Sequence, residues 1–232
     1  MRTVFICTFS LALPLSLTGC TTTSECTPQL HAQLDPSYYD TLRDQLLDLE
    51  ARDQDARAAL IAAMETAERG PGGSFKFDEA GTIALQDVGD IDAESSAFLE
   101  DMIEQHGWPT YDMVGKDAAH AAWLLAQHAD QHPELQQRIL DLMEPLVEQG
   151  QAAGSQFAML TDRVLTGRGE PQVYATQFTY DEDGVLRPSP TIDWENIEQR
   201  RASVGLDTMA EYKKRMEESY HDEVSTEPIP IE

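Results

Sequence analysis

The chain predicts a mainly α (α+β) fold, a multi-helix, bundle-like domain with one or two small β-hairpins. Two observations carry this. From about residue 36 onward, apolar residues recur every three or four positions in segments of ordinary helix length, each closed by a glycine or proline stop. Only two short stretches depart from that rhythm, near residues 75–85 and 172–187, and both contain acidic and glycine residues suited to turns.

Taken in order, the first helix is expected over about Pro36 to Arg69, closed by Gly70-Pro71-Gly72-Gly73. Phe75 to Leu85, with Asp78-Glu79-Ala80-Gly81 at its middle, reads as a small hairpin. Helices follow from about Ala93 to His106, stopped by Gly107 and Pro109, and from about Lys116 to Ala129. Pro133 separates the latter from a helix over Glu134 to Gln149, and another covers about Gln151 to Thr166 before Gly167-Arg168-Gly169. Gln172 to Tyr180 alternates with period two, and Asp181-Glu182-Asp183-Gly184 turns it back into Val185 to Arg187. Two closing helices are expected, Trp194 to about Ser203 capped by Asp193, and Met209 to about Tyr220, where Thr208 and Glu211 fit a capping box. This organises the chain as a signal segment 1–19, a tether 20–35, one helical domain 36–216 and an acidic, disordered tail 217–232.

The first twenty residues point to an address. Arg2 precedes an apolar run, Val4 to Leu17, too short for a permanent membrane span and of signal-peptide length. The run ends in Leu17-Thr18-Gly19-Cys20, which resembles a bacterial lipobox; an ordinary secretory signal is the alternative. The resemblance implies cleavage before Cys20 and lipidation there, anchoring the mature protein outside the cytoplasm by two or more acyl chains. Thr21, in place of an inner-membrane retention aspartate, favours the outer membrane or cell surface. With Cys7 in the signal and Cys20 lipidated, only Cys26 remains, so no internal disulfide is expected.

Forty-two acidic residues against sixteen basic ones give a net charge of −26, with no basic cluster, which excludes a nucleic-acid function. Helical-wheel positions ask a sharper question: which polar side chains fall within the apolar stripes? In the first helix Asp53 lies near the centre of the face made by Leu42, Leu46, Leu49, Leu60 and Met64, with Arg57 one turn on. His106 falls between Leu99 and Met102, and His128 is embedded among Ala121, Ala122, Leu124 and Leu125, whereas His120 and Gln127 point away. An acid, a cation and two histidines turned inward from three helices describe a convergent polar pocket, or else separately satisfied buried groups. Metal binding has less support. His128 and His132 are four apart, but Pro133 interrupts the helix, and no cysteine or His-Glu signature accompanies them. No metal or cofactor is therefore assigned; His106, His128 and Asp53 are the ligands to expect if one binds. Phosphate loops, nucleophile elbows and nucleotide fingerprints are missing from the sequence.

Several short motifs recur in order: Asp53-Gln54 with Arg57, His106-Gly107-Trp108-Pro109-Thr110, Gln127-His128-Ala129-Asp130, Asp162-Arg163, Pro171-Gln172-Val173-Tyr174-Ala175-Thr176-Gln177 and Arg200-Arg201. Over roughly residues 38 to 215 they resemble a bacterial domain family of unknown function, with Ala175 where that family usually has glycine. The resemblance selects the same polar residues as the wheel. His106, His128 and Asp53 are the candidate catalytic groups, and Gln54, Arg57, Trp108, Asp162, Arg163, Gln172, Tyr174 and Gln177 the candidate ligand-binding ones. Two functions fit. One is a lipid-anchored envelope protein that binds a small polar ligand or an envelope protein through this His/Asp/Arg/Gln pocket. The other is a hydrolase or transferase with His106 or His128 as general acid or base and Asp53 orienting it.

Overall fold

The computed structural model describes residues 36–69, 75–181, 184–220 and 223–231. The signal segment, the tether and the Gly70–Gly73 breaker lie outside the described residues. The first helix, α1, spans Pro36–Thr66, and its apolar row Leu42, Leu46 and Leu49 is buried. Two-residue strands β1 (Glu68–Arg69) and β2 (Phe75–Lys76) then pair antiparallel. This corrects the expected hairpin over 75–85. Asp78 accepts a hydrogen bond from the Gly81 backbone N–H at 2.9 Å and caps a 28-residue helix, α2 (Glu79–His106). Gly81, Ala84, Val88 and Ile91 bury one helical face there, a period of three to four rather than two.

Helix α3 (Tyr111–His128) starts earlier than the expected Lys116, with Thr110 accepting from the Met113 N–H. It breaks at Gly115, whose φ of 80° only glycine adopts readily, and a Cβ there would meet the Arg43 guanidinium at 2.9 Å. That guanidinium bonds both the Val114 carbonyl and the Asp117 carboxylate, tying α1 to the break. Helix α4 (Pro133–Glu148) begins with its proline, where the missing N–H costs nothing, and α5 (Gly154–Gly167) follows.

Helix α1 lies against both α2 and α3, and α3 in turn meets α4 and α5. Its Ala118, Ala121, Ala122 and Ala126 are all buried, and these small side chains admit neighbouring backbones closely around Leu46, Leu99, Leu125, Ile139, Met143 and Leu160. Fully burying one such leucine contributes about 1.5–3 kcal/mol.

Strands β3 (Phe178–Tyr180) and β4 (Leu186–Pro188) pair antiparallel, Phe178 opposite Pro188. The expected strand thus begins six residues late, because 172–177 follows another course described below. A 3-10 turn, Trp194–Asn196, leads into α6 (Ile197–Ser203). Asp193 does not cap it; the residue is left-handed and its carboxylate accepts from Asn196 and Arg200. The last helix, α7 (Met209–Tyr220), has the expected capping box: Glu211 N–H to Thr208 Oγ1 at 3.2 Å and Thr208 N–H to Glu211 Oε2 at 3.0 Å. The expected disordered tail is corrected over its described part. Residues 223–231 run beside β4, with Val224 buried, backbone bonds from Leu186 to Glu223 and from Ser225 to Leu186, and Ile229 bonded to Pro188. One apolar side chain and an open strand edge outweigh the local acidity.

Candidate functional site

Three helices bring one polar side chain each to a single point, with a guanidinium among them. Asp53 follows Leu46 and Leu49 by seven and four residues on α1, so the core-facing stripe carries it inward and leaves it 1% exposed. On α3, His128 follows Ala121 and Leu125 by the same logic and keeps 18% of its side chain in solvent. Asp53 Oδ1, His128 Nδ1 and Arg57 Nε form a triangle whose three sides are each 2.9 Å. Arg57 Nη2 donates to Asp92 of α2, and Gln54 Nε2 donates to Asp53 Oδ2 at 2.8 Å.

A proton on His128 Nδ1 gives the Asp53 carboxylate a further donor and avoids opposing two lone pairs across 2.9 Å. Nε2 is then the unprotonated nitrogen, and it has no protein hydrogen-bond partner among the described residues. Burial pushes the Asp53 carboxyl up, but hydrogen bonds from His128 and Gln54, with the nearby Arg57 guanidinium, hold it below the ordinary aspartate value. For Asp92 burial prevails over Arg57 and the carboxyl is raised. Asp53, Asp92 and His128 each offer an atom within 4.8 Å of the others, enough to hold a cation.

The sequence expectation placed His106 here as well, and the structure does not. Asp92 and His106 stand fourteen residues apart on α2, about 21 Å along the axis. His106 packs against Tyr38, with ring centroids 4.6 Å apart and planes tilted by 55°, and its Nε2 is buried without a hydrogen-bond partner among the described residues. Trp108 is likewise core, 4% exposed among the apolar side chains. Both motif residues close the α2–α3 end of the bundle.

A second cluster organises residues 172–177. Asp162, wholly buried on α5, accepts from the backbone N–H groups of Val173, Tyr174 and Thr176 and from the Thr176 hydroxyl, all at 2.8–3.1 Å. Burial pushes its carboxyl up against the pull of those donors. Gln172, equally buried, accepts from the Thr176 and Gln177 N–H groups and donates to the Gln177 and Ser189 carbonyls. From the other side the Arg200 guanidinium bonds the Val173 carbonyl, Arg201 bonds those of Tyr174 and Ala175, and the Tyr212 hydroxyl bonds that of Thr176. Side chains therefore do for this segment what a sheet ladder would do for a strand. Its Ala175, at φ 55°, takes the left-handed conformation that glycine favours. Asp162 and Gln172, expected to bind ligand, are consumed by this loop, and the main chain of Tyr174 is held within it.

Arg163, beside Asp162, points elsewhere. It grips Asp130 with two nitrogens and reaches Gln177 Oε1 at 3.4 Å. These three residues, with Gln136 and Thr166, line a cleft of about 390 Å³ between α4 and α5. Hydrogen bonding to Arg163 and Gln136 opposes the upward push of burial and holds the Asp130 carboxyl below its usual range. Asp130 stands two residues beyond His128, so the two groups share one turn of chain.

Sequence reasoning missed Asp92 and Asp130 as members. Asp92 is four residues after Val88 and seven before Leu99, a position the wheel would have flagged had 79–92 been read as helix. Gln127, expected to point outward, is 7% exposed, and its Nε2 is buried without a hydrogen-bond partner among the described residues.

No curated protein and no solved structure matches this chain. A family of unknown function (DUF6624) does, over residues 47–225. That span holds Asp53, Arg57, Asp92, His128 and the whole loop cluster, and the chain belongs to this family.

Proposed function

We propose that this protein is a lipid-anchored envelope protein whose helical domain binds a small polar ligand or partner at the Asp53–Arg57–Asp92–His128 cluster. The anchor rests on Leu17-Thr18-Gly19-Cys20, and no described helix is long and apolar enough to cross a membrane. The observation that carries the binding reading is the unequal satisfaction of His128. Its Nδ1 is held between Asp53 and Arg57, while Nε2 has no protein partner among the described residues. A purely structural histidine is expected to have both nitrogens bonded or one turned to backbone.

Thermal denaturation of the purified chain against nucleotides, sugars, amino-acid derivatives and divalent metals tests this. A bound compound at a hundredfold excess over its Kd adds about 2.7 kcal/mol and raises Tm. The shift should vanish in His128→Ala and persist in His106→Ala, about 21 Å away. A shift that survives His128→Ala refutes this site, as does the absence of any shift across the library.

A second reading, hydrolysis or group transfer, is favoured by the 2.9 Å Asp53–His128 contact, the arrangement in which a buried carboxylate orients a general base. Nε2 is then the atom that accepts the proton, and His106 has no part. Turnover of an ester, amide or phosphoester panel should be lost in His128→Gln with Tm nearly unchanged; retained turnover rejects this reading.

A further inference from the structure

We infer that the Asp53–His128–Asp92 triangle is a divalent-cation site and that the Arg57 guanidinium is its displaceable plug. The inference goes beyond the ligand reading, since it concerns the Nδ1 face of His128, not Nε2. Its first support is metric. Two ligand atoms in neighbouring positions on an octahedral ion, each about 2.1 Å from the metal, lie about 3.0 Å apart. Asp53 Oδ1 and His128 Nδ1 are 2.9 Å apart, and the Asp92 oxygen falls within 4.8 Å of both. The three ligands come from three helices whose positions the core fixes, so the spacing is set by the fold and not by a mobile loop.

Charge is the second support. Two carboxylates face one guanidinium. Arg57 Nε stands 2.9 Å from both Asp53 Oδ1 and His128 Nδ1, and Nη2 bonds Asp92, so the guanidinium touches all three candidate ligands. Its side chain is 26% exposed, which gives it an outward route. Replacement of the guanidinium by a doubly charged ion, with the imidazole proton passing from Nδ1 to Nε2 so that Nδ1 is free to ligate, neutralises both acids. Mixed imidazole and carboxylate ligation suits zinc, manganese or ferrous iron better than calcium.

Calorimetric titration of the untagged, chelator-treated chain with Zn²⁺ and with Mn²⁺ tests the inference. One ion per chain is expected, and paramagnetic Mn²⁺ should broaden the ring protons of His128 and spare those of His106. Asp92→Asn, at a partly exposed position, should weaken binding at least tenfold. Arg57→Gln, which removes the competing charge and keeps a hydrogen-bonding group, should strengthen it about tenfold. Binding that ignores Asp92→Asn and leaves His128 sharp overturns the site, as does failure of both wild type and Arg57→Gln to bind. Weaker binding by Arg57→Gln overturns the plug. If the site fails while a His128-dependent shift by an organic ligand persists, the ligand reading stands alone.

Discussion

Replacing Asp162 by asparagine should destabilise the protein by about 3 kcal/mol, and the figure follows from counting donors. Oδ1 accepts from Val173 and Tyr174, and Oδ2 from the N–H and hydroxyl of Thr176. An asparagine must turn its NH₂ toward one of those pairs. If it faces the first, the Val173 N–H loses its acceptor, since Tyr174 N also reaches Oδ2 at 3.1 Å. If it faces the second, the Thr176 N–H keeps Gln172 but the hydroxyl must rotate. Each orientation sets donor against donor in a dry site, at about 1–3 kcal/mol, and the bonds that survive lose their charge assistance, another 1–2 kcal/mol. For a chain of this size that sum lowers Tm by roughly 6–12 °C. Urea denaturation followed by helical circular dichroism gives the first number, and amide exchange at Val173, Tyr174 and Thr176 locates the damage. A loss below about 1 kcal/mol with unchanged exchange would refute the view that this carboxylate exists to hold the 172–177 segment.

Other outcomes follow from the same geometry. Arg201→Met should cost about 3–5 kcal/mol in denaturation, because a wholly buried guanidinium is the donor to the Tyr174, Ala175 and Asp207 carbonyls and pairs with the Asp207 carboxylate. Thr208→Ala should remove about 1 kcal/mol by deleting half of the α7 capping box, and Glu211→Ala should add little beyond it in the double variant. Asp53→Asn should show its effect through pH. The folded carboxyl lies below its ordinary value of 3.8, so the stabilisation it confers is full above about pH 4 and disappears as pH falls through the folded pKa. Stability curves of wild type and variant should accordingly converge only at the acid end. A gap that is constant from pH 7 to pH 2 rejects the assignment.

The helical half of this molecule was largely legible because its stripes are long and its stops are strong. Leu42, Leu46 and Leu49, or Ala118, Ala121, Ala122 and Leu125, admit one reading of period, and the burial they predict is the burial observed. What misled was short-range punctuation. Asp78 and Gly81 look like a turn between strands, yet aspartate followed three residues later by a small residue is equally an N-cap, and only the buried face running on to Ile91 decides between them. Gln172 to Tyr180 alternates as a strand does, but alternation cannot reveal that Asp162, ten or more residues upstream, and Arg201, more than twenty downstream, claim its backbone first. Histidine presented a different difficulty. His106 and His128 share a wheel signature, and only the antiparallel run of α2 and α3 shows that they occupy opposite ends of the bundle.

That difference separates two kinds of buried polar group in one small domain. Around Asp162 and Arg201 the partners are backbone amides and carbonyls, whose positions are given by the course of the chain, and every lone pair and proton named there has a fixed recipient. Such a network specifies a loop and has nothing left with which to meet a ligand. Around Asp53 the partners are other side chains, the acids outnumber the guanidinium, Arg57 Nε stands 2.9 Å from both Asp53 and His128, and an imidazole nitrogen has no protein partner among the described residues. Folding alone does not require this arrangement, since a leucine at position 53 would continue the Leu46 and Leu49 row at no desolvation cost. An aspartate retained there costs stability relative to that leucine, and costs of this kind are found where a site must hold charge that the fold by itself would discard. Asp53→Leu made together with Arg57→Leu and His128→Leu should therefore fold, with stability equal to or above wild type, and should lose every ligand- or metal-induced shift in Tm. If that triple variant is instead strongly destabilised, the cluster is part of the scaffold and the site must be sought in the cleft of Asp130 and Arg163.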